Sequence, residues 1–304
     1  MNPSEANENV MSSSEAVATS DDRDVAAVER QLYQWFTECP GAIVAFSGGV
    51  DSAVVAKAAY ETLRSRAIAV TADSASLARA ELAGATDLAQ RIGIAHRLVA
   101  TGEVSDPAYL QNDSQRCFHC KSHLFQSLES LPEIRESGWW ILTGTNRDDL
   151  GDWRPGLVAA GQHGVRSPLA ELRIDKQAVR ALAARWDLPV ADKPASPCLA
   201  SRVAYGVAVT PERLARVEAA EALLRGLGFT RFRVRLHDGE LARIEVPLAD
   251  LPRLIEPTTR EPLIRKLAEL GFRFVTLDLE GFASGSLNRL IARPTPLGQR
   301  PQPS

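Results

Sequence analysis

The run Ile43-Val44-Ala45-Phe46-Ser47-Gly48-Gly49-Val50-Asp51-Ser52 limits what this chain can fold into more than any other stretch. An apolar segment of strand length leads straight into two glycines, and a helix-forming sequence follows. Adjacent glycines let the backbone approach an anion closely. Ser47 and Ser52 add hydroxyl donors, and the amides that open a helix have no intrahelical partners, so all of them face one point. The reading is a phosphate-binding strand, turn and helix. No lysine follows Gly49, which excludes the Walker loop with its Gly-Lys-Ser/Thr ending. A plain packing joint with Gly48 and Gly49 as turn residues is the alternative, and the placement of serine and aspartate around the glycines favours phosphate.

Apolar strand-like runs alternate with helical patterns around this loop: Ala42 to Phe46, a helix from about Ser52, Ala67 to Thr71, a helix over Ala78 to Ile92, and Ile141 to Gly144. Such alternation predicts an α/β fold, a parallel sheet covered by helices on both faces. Ligands of these folds sit beyond the carboxyl ends of the strands. Asp73 and Ser74 end one run, and Gly144, Thr145 and Asn146 end another, so both segments are expected to meet the glycine loop around one nucleotide. Asp73 and Ser74 also suit ordinary helix capping. The first domain is expected over residues 25–207. Residues 1–24 and the Pro-rich segment 293–304 are expected to be disordered tails, because their few apolar residues cannot offset the entropy of ordering.

A smaller α+β domain is expected over residues 208–292. Thr210-Pro211-Glu212 opens a helix with a hydroxyl cap and a proline at the first helical position, and Gly228 closes it behind the stripe Leu214, Val217, Leu224 and Leu227. Strands over Arg231 to Leu236 and Leu241 to Val246 flank the turn Asp238-Gly239. A helix over about Arg260 to Leu270 and a strand over Phe272 to Leu277 complete an α-β-β-α-β order. Period-two geometry puts Arg231, Arg233 and Arg235 on one strand face, where an anion or nearby carboxylates would relieve their repulsion. Glu221 projects inside the apolar stripe of the preceding helix, and Glu245 alternates on the partner strand. Arg233, Arg235, Glu221 and Glu245 are therefore read as a phosphate or carboxylate site, against the alternative of a solvated sheet face.

The chain has 304 residues, 45% of them hydrophobic, enough for a sizeable core, and a formal net charge of -3. That charge argues against a general nucleic-acid binder. No apolar run is long enough to span a bilayer and no secretory leader pattern opens the chain, so a cytoplasmic protein is expected. Four cysteines are too few for a disulfide framework. Cys117 and Cys120 form a C-x-x-C, and Cys198 lies far downstream in Ser-Pro-Cys-Leu-Ala-Ser-Arg. Close thiols of this kind hold zinc, form a redox pair or fill a core. A second C-x-x-C is absent, and Cys39, just before the first strand, is a poor fourth ligand. Three cysteines without a fourth suit a [4Fe-4S] cluster with one open iron. His119 reads as a surface residue rather than a ligand.

The loop Ser47-Gly48-Gly49-Val50-Asp51-Ser52 resembles the SGGxDS loop of the PP-loop ATP pyrophosphatases, which cleave ATP between its α- and β-phosphates. Taken in order, this loop, Cys117-Phe118-His119-Cys120-Lys121, Gly144-Thr145-Asn146-Arg147-Asp148-Asp149 with Asp152-Trp153-Arg154-Pro155-Gly156, Asp192-Lys193-Pro194, Cys198-Leu199-Ala200-Ser201-Arg202, Arg233-Val234-Arg235 and Ala242-Arg243-Ile244-Glu245-Val246 resemble one family. It is the LarE family of ATP-dependent sulfur transferases, which serves biosynthesis of the nickel-pincer nucleotide cofactor of lactate racemase. The resemblance implies that ATP adenylates a carboxylate of pyridinium-3,5-biscarboxylic acid mononucleotide, expelling pyrophosphate, and that a sulfur nucleophile then displaces AMP. It further implies a magnesium ion, for which Asp51 is the candidate contact, and substrate or phosphate contacts at Lys121 and Arg202. Members with one functional cysteine sacrifice the residue matching Cys198. The extra pair Cys117 and Cys120 resembles members whose three thiols hold a cluster that carries sulfide. A homo-oligomer is expected on the same likeness. A PP-loop tRNA thiolase is the rival reading, and no nucleic-acid or membrane partner is expected.

Overall fold

The computed structural model describes residues 20–151, 154–283 and 287. The expected tails 1–24 and 293–304 lie outside the described residues except at 20–24, where helix α1 (Ser20–Thr37) has already begun. Strands β1 (Ala42–Ala45), β2 (Ala67–Asp73), β3 (Ala95–Ala100) and β4 (Trp140–Leu142) form one sheet in the order β3-β2-β1-β4. Every pairing in it is parallel.

The register of β1 explains why both faces of this sheet are covered. Ala42 and Val44 point into a core with Leu32 and Phe36 of α1, the alanine-rich helix α2 (Val50–Leu63), α3 (Arg79–Ile92), and Val179 and Leu182 of a later helix over Lys176–Arg185. Ile43 points the other way, against Leu124, Phe125 and Leu128 of α4 (Arg116–Glu129) and Ala159 and Ala160 of α5 (Pro155–Gln162). The helix over Lys176–Arg185 is α6. A strand buried on both sides must be apolar at successive positions, as Ala-Ile-Val-Ala is. The expected doubly covered parallel sheet of a PP-loop protein is thus the observed one. Strand β3 was not expected: it is one edge of the sheet, and its sequence Ala-His-Arg-Leu-Val-Ala has three exposed and three half-buried residues.

The second sheet is smaller. Strands β5 (Arg233–His237) and β6 (Leu241–Glu245) are antiparallel, and β7 (Phe274–Leu277) joins β6 in parallel. Gly239 takes φ +69° in the β5-β6 turn, the conformation that the Asp-Gly signal anticipates. Helix α7 (Pro211–Gly226) is capped by Thr210, whose hydroxyl accepts from the Arg213 amide, and α8 (Pro257–Glu269) precedes β7. Leu214, Val217 and Leu224 of α7 pack on Val234, Leu236 and Ile244 of the sheet. Strand β5 begins two residues later than expected, so Arg231 precedes the strand and its guanidinium lies over the Phe282 ring, 5.4 Å from its centroid.

Asn112 joins the two sheets. It is fully buried at φ +55°, a left-handed conformation that asparagine tolerates. Its side-chain amide donates to the carbonyls of Val203 (3.3 Å), Ala204 (2.8 Å) and Val207 (2.8 Å), while its oxygen accepts from Arg116 Nη1 at 2.6 Å. The start of α4 is therefore tied to the segment that leads into the second sheet. Among the described residues no helix is long and apolar enough to cross a membrane.

Candidate functional site

The carboxyl ends of β1 and β2, the start of α4, the 193–202 segment and the mouth of the second sheet enclose one cavity of about 860 Å³. The glycine loop forms its floor. Gly48 has φ +69°, and a Cβ there would come within 2.9 Å of the Ala85 Cβ on α3, so glycine is required by conformation and by space. Ser47 and Ser52 brace the turn: the Ser47 amide donates to Ser52 Oγ (3.3 Å), which donates to the Gly49 carbonyl (3.0 Å), and the Gly49 amide donates to Ser47 Oγ (3.4 Å). Ser47, Gly49 and Asp51 face the cavity, whereas Gly48 and Ser52 shape the loop from behind.

Asp51 is held from two sides. Its Oδ1 accepts from the Asn146 side-chain amide at 3.0 Å and its Oδ2 from Lys176 Nζ at 2.5 Å. Asn146 is itself buried, and its oxygen accepts from the Asp148 amide. Gly144 lies so close to the start of α2 that a Cβ would stand 2.6 Å from the Ser52 nitrogen and 2.7 Å from the Asp51 carbonyl carbon. The Gly144-Thr145-Asn146 segment thus reaches the loop but does not line the cavity. Thr145 instead holds Thr143 through a hydroxyl contact of 3.2 Å. Asp73 is also outside the lining and pairs with Arg79, while Ser74 faces inward. Lys193 lines the cavity as well, donating to Glu81 at 2.7 Å and reaching the Gly48 carbonyl at 3.5 Å. Lys176 and Lys193 place two cations beside the loop. Sequence reasoning gave neither a role: a single lysine on a helix or in a loop carries no local signal, and only the fold brings residue 176 to residue 51.

The three downstream thiols face the same space. Cys117 and Cys120 are one helical turn apart at the start of α4, Cys198 stands just before the short turn Leu199–Arg202, and all three line the cavity with Lys121. Cys117 and Cys198 are exposed to it and Cys120 is half-buried. Burial and then neighbouring Cys198 push the Cys120 thiol up to about 12. Burial pulls the Arg116 guanidinium down, yet Cys198 and Cys117 beside it hold it above the ordinary arginine range. Among the described residues no group of three or more His, Cys, Asp or Glu side chains stands close enough to hold a metal ion. Three soft thiols from two elements share the cavity, and buried Arg116 beside Cys117 and Cys198 offsets the negative charge that thiolates would bring. Cys39 lies in the first core at the opposite end of β1, where its thiol donates to the Gly41 carbonyl at 3.2 Å and burial pushes it up to about 11. His119 is a partly exposed residue 3.8 Å from Asp106.

The four residues read as an anion site in the second sheet separate into different roles. Arg202 and Glu221 form a buried double contact, Nε to Oε1 at 3.0 Å and Nη2 to Oε2 at 3.3 Å. Arg202 also donates to the carbonyls of Pro197 and Cys198 (3.0 Å for the latter), so this pair fixes the backbone on which Cys198 stands. Glu245, fully buried, accepts from Arg235 (2.8 Å) and Arg243 (3.0 Å); Arg235 reaches the Ser201 carbonyl, and neither Arg235 nor Glu245 lines the cavity. Arg233 does. Among the described residues it makes no ion pair; its Nη1 donates to the Phe232 carbonyl, and it lies over the Phe282 ring at 5.1 Å. Burial, then the charges of Arg202 and Arg235, lower it to about 10. Glu221 and Glu245 act on it only from beyond ion-pair distance, so a buried cation in direct contact with no carboxylate among the described residues is a ready site for an anion.

Residues 26–119 match the NAD synthase family. An uncharacterized protein of Synechocystis sp. (strain ATCC 27184 / PCC 6803 / Kazusa) is 46% identical over 262 residues, spanning 86% of this chain and 97% of its own length. The tRNA-specific 2-thiouridylase MnmA of Acidiphilium cryptum is 29% identical over 203 residues, 51% of this chain and 55% of its own. The pyridinium-3,5-bisthiocarboxylic acid mononucleotide synthase of Lactiplantibacillus plantarum is 38% identical over 251 residues, 82% of this chain and 90% of its own. At that identity and coverage, with the glycine loop and three thiols around one cavity, the chain belongs to the LarE family of pyridinium-3,5-bisthiocarboxylic acid mononucleotide synthases.

Proposed function

We propose that this protein is an ATP-dependent sulfur transferase that converts a carboxylate of pyridinium-3,5-biscarboxylic acid mononucleotide to a thiocarboxylate for nickel-pincer cofactor synthesis. The observation that carries the reading is the meeting of the phosphate loop, the three thiols and Arg233 in a single cavity. In this reading Ser47, Gly49 and the first amides of α2 hold the ATP phosphates, Ser74 lines the nucleotide, and Lys176 and Lys193 offset the charge of departing pyrophosphate. Gly48, Ser52, Gly144, Thr145 and Asn146 shape the loop from behind, and Asp73 acts through Arg79. Asp51 is the proposed magnesium contact, released to it from Lys176. Arg233 and Lys121 bind the anionic substrate, while Arg202 with Glu221, and Arg235 with Glu245, fix the wall around it.

The substrate carboxylate oxygen bonds to the α-phosphorus as the bond to pyrophosphate breaks. A sulfur nucleophile then bonds to the activated carbonyl carbon, and AMP leaves with the original oxygen. Cys117, Cys120 and Cys198 are the proposed ligands of a [4Fe-4S] cluster, which when bound supplies an iron able to keep an exchangeable sulfide. Three thiols in one cavity favour this over sacrifice of Cys198. Residues 25–207 form the proposed nucleotide unit and 208–292 the substrate and assembly unit of a cytoplasmic homo-oligomer. The test is pyrophosphate release from ATP with and without the dicarboxylate mononucleotide. Release that depends on it supports the reading, and release independent of it, or driven instead by tRNA, overturns it.

A further inference from the structure

Near Cys120 the cavity wall holds two polar atoms without hydrogen-bond partners among the described residues. Glu103 follows β3 in a short turn and is 0% exposed, and Tyr109 is 1% exposed. Glu103 Oε1 accepts from the Ser74 hydroxyl, and Ser74 is in turn held by Ser76 through a 2.8 Å hydroxyl contact and the Ser76 amide at 3.0 Å. Among the described residues Glu103 Oε2 and the Tyr109 hydroxyl make no hydrogen bond. All four residues line the cavity. Buried polar atoms left unpaired are costly, so such a pair on a cavity wall points to a ligand that satisfies both.

The chemistry of the wall narrows that ligand. A carboxylate repels phosphate, and no group of three metal-ligating side chains accompanies it among the described residues. Among the neutral groups a nucleotide carries, the hydroxyls of its ribose can donate to a carboxylate and exchange hydrogen bonds with a tyrosine hydroxyl. Carboxylates beyond the strand ends of doubly covered sheets hold ribose hydroxyls in this way. The distance agrees: β3 lies two strands from β1, and strands about 4.8 Å apart place its end about 10 Å across the sheet from the phosphate loop, within one nucleotide's reach.

We propose that Glu103 and Tyr109, oriented by Ser74 and Ser76, form a subsite for the vicinal diol of a nucleotide ribose. The inference rests on the nucleotide chemistry proposed above, and the diol belongs either to ATP or to the pyridinium mononucleotide. The test is calorimetric titration of the full chain, with magnesium, by ATP and 2′,3′-dideoxy-ATP, and by the dicarboxylate mononucleotide and its dideoxy form. Loss of the diol weakens one of the two nucleotides by about tenfold to about a hundredfold in the wild type, and which one identifies the source. Glu103→Gln reduces that discrimination. Tyr109→Phe removes a hydroxyl with no hydrogen-bond partner among the described residues, so it leaves the unfolding temperature unchanged or higher while weakening the diol-bearing nucleotide. Wild-type protein that binds neither nucleotide overturns this inference and the reading beneath it. Nucleotide binding with pyrophosphate release but no ribose discrimination, or discrimination undiminished in both variants, overturns this inference alone.

Discussion

Replacing Arg202 by methionine separates the structural from the chemical reading of the Cys198 segment. Arg202 is 4% exposed and Glu221 5%, and their side chains meet in two contacts at 3.0 and 3.3 Å. Arg202→Met leaves the Glu221 carboxylate buried with, among the described residues, only the Val234 amide, at 3.3 Å, still donating to it. Breaking a buried pair by removing one partner costs about 3–5 kcal/mol, where an exposed pair is worth about 1 kcal/mol or less. The assay is urea unfolding, read as a shift of midpoint at constant slope. Glu221→Leu in the same chain removes the stranded charge, so the double variant is expected to be more stable than Arg202→Met alone. Its sulfur transfer stays impaired, because the Pro197 carbonyl has lost the Arg202 donor and the Cys198 carbonyl keeps only its two donors from Ser201. A single variant that loses no more than about 1 kcal/mol, or a double variant less stable than Arg202→Met, refutes the buried-clamp account.

Gly144→Ala drives a methyl group into the first turn of α2 and is expected to destabilise the fold by about 1–3 kcal/mol and to weaken ATP binding, measured by thermal unfolding and titration. Burial holds His96 below its ordinary 6.5, and burial with Arg243 does the same for His237. The folded chain therefore binds fewer protons at these rings than the unfolded one, so their contribution to stability is whole above about pH 6.5 and is lost as pH falls. Unfolding free energy should begin to drop as pH falls below about 6.5, above the window of the carboxylates, and the drop should be smaller in His96→Gln. Iodoacetamide followed by mass spectrometry should modify exposed Cys117 and Cys198 first, Cys120 slowly, and Cys39 only after unfolding, since burial raises the last two thiols.

The parts of the site that were legible in the sequence are those whose chemistry is local. The glycine loop reads directly because strand, turn and helix follow one another within ten residues, and the C-x-x-C reads because one helical turn separates its thiols. Arg202 and Glu221 were both singled out, yet each looked like a ligand contact; that they answer each other across 19 residues depends on how α7 packs. Arg235 and Glu245 drew notice for the same charge pattern, and register places them together behind the wall, leaving Arg233 to face the cavity. Strand β3 escaped because an edge strand needs only half its residues apolar. Lys193 stood in a family-like motif without a role of its own, and Lys176, Glu103 and Asn112 gave no warning, since isolated polar residues in turns and helix starts are ordinary until tertiary structure buries them.

The most direct test of the central claim is mass spectrometry of nucleotide products and of the protein after several turnovers. The chain is prepared without oxygen, reconstituted with iron and sulfide, and supplied with ATP and the dicarboxylate mononucleotide. The account predicts AMP, pyrophosphate and a mononucleotide with one carboxylate oxygen replaced by sulfur, with Cys198 unchanged in mass. ATP left intact in the presence of the mononucleotide contradicts the adenylation, and Cys198 converted to dehydroalanine contradicts the shared role of the three thiols.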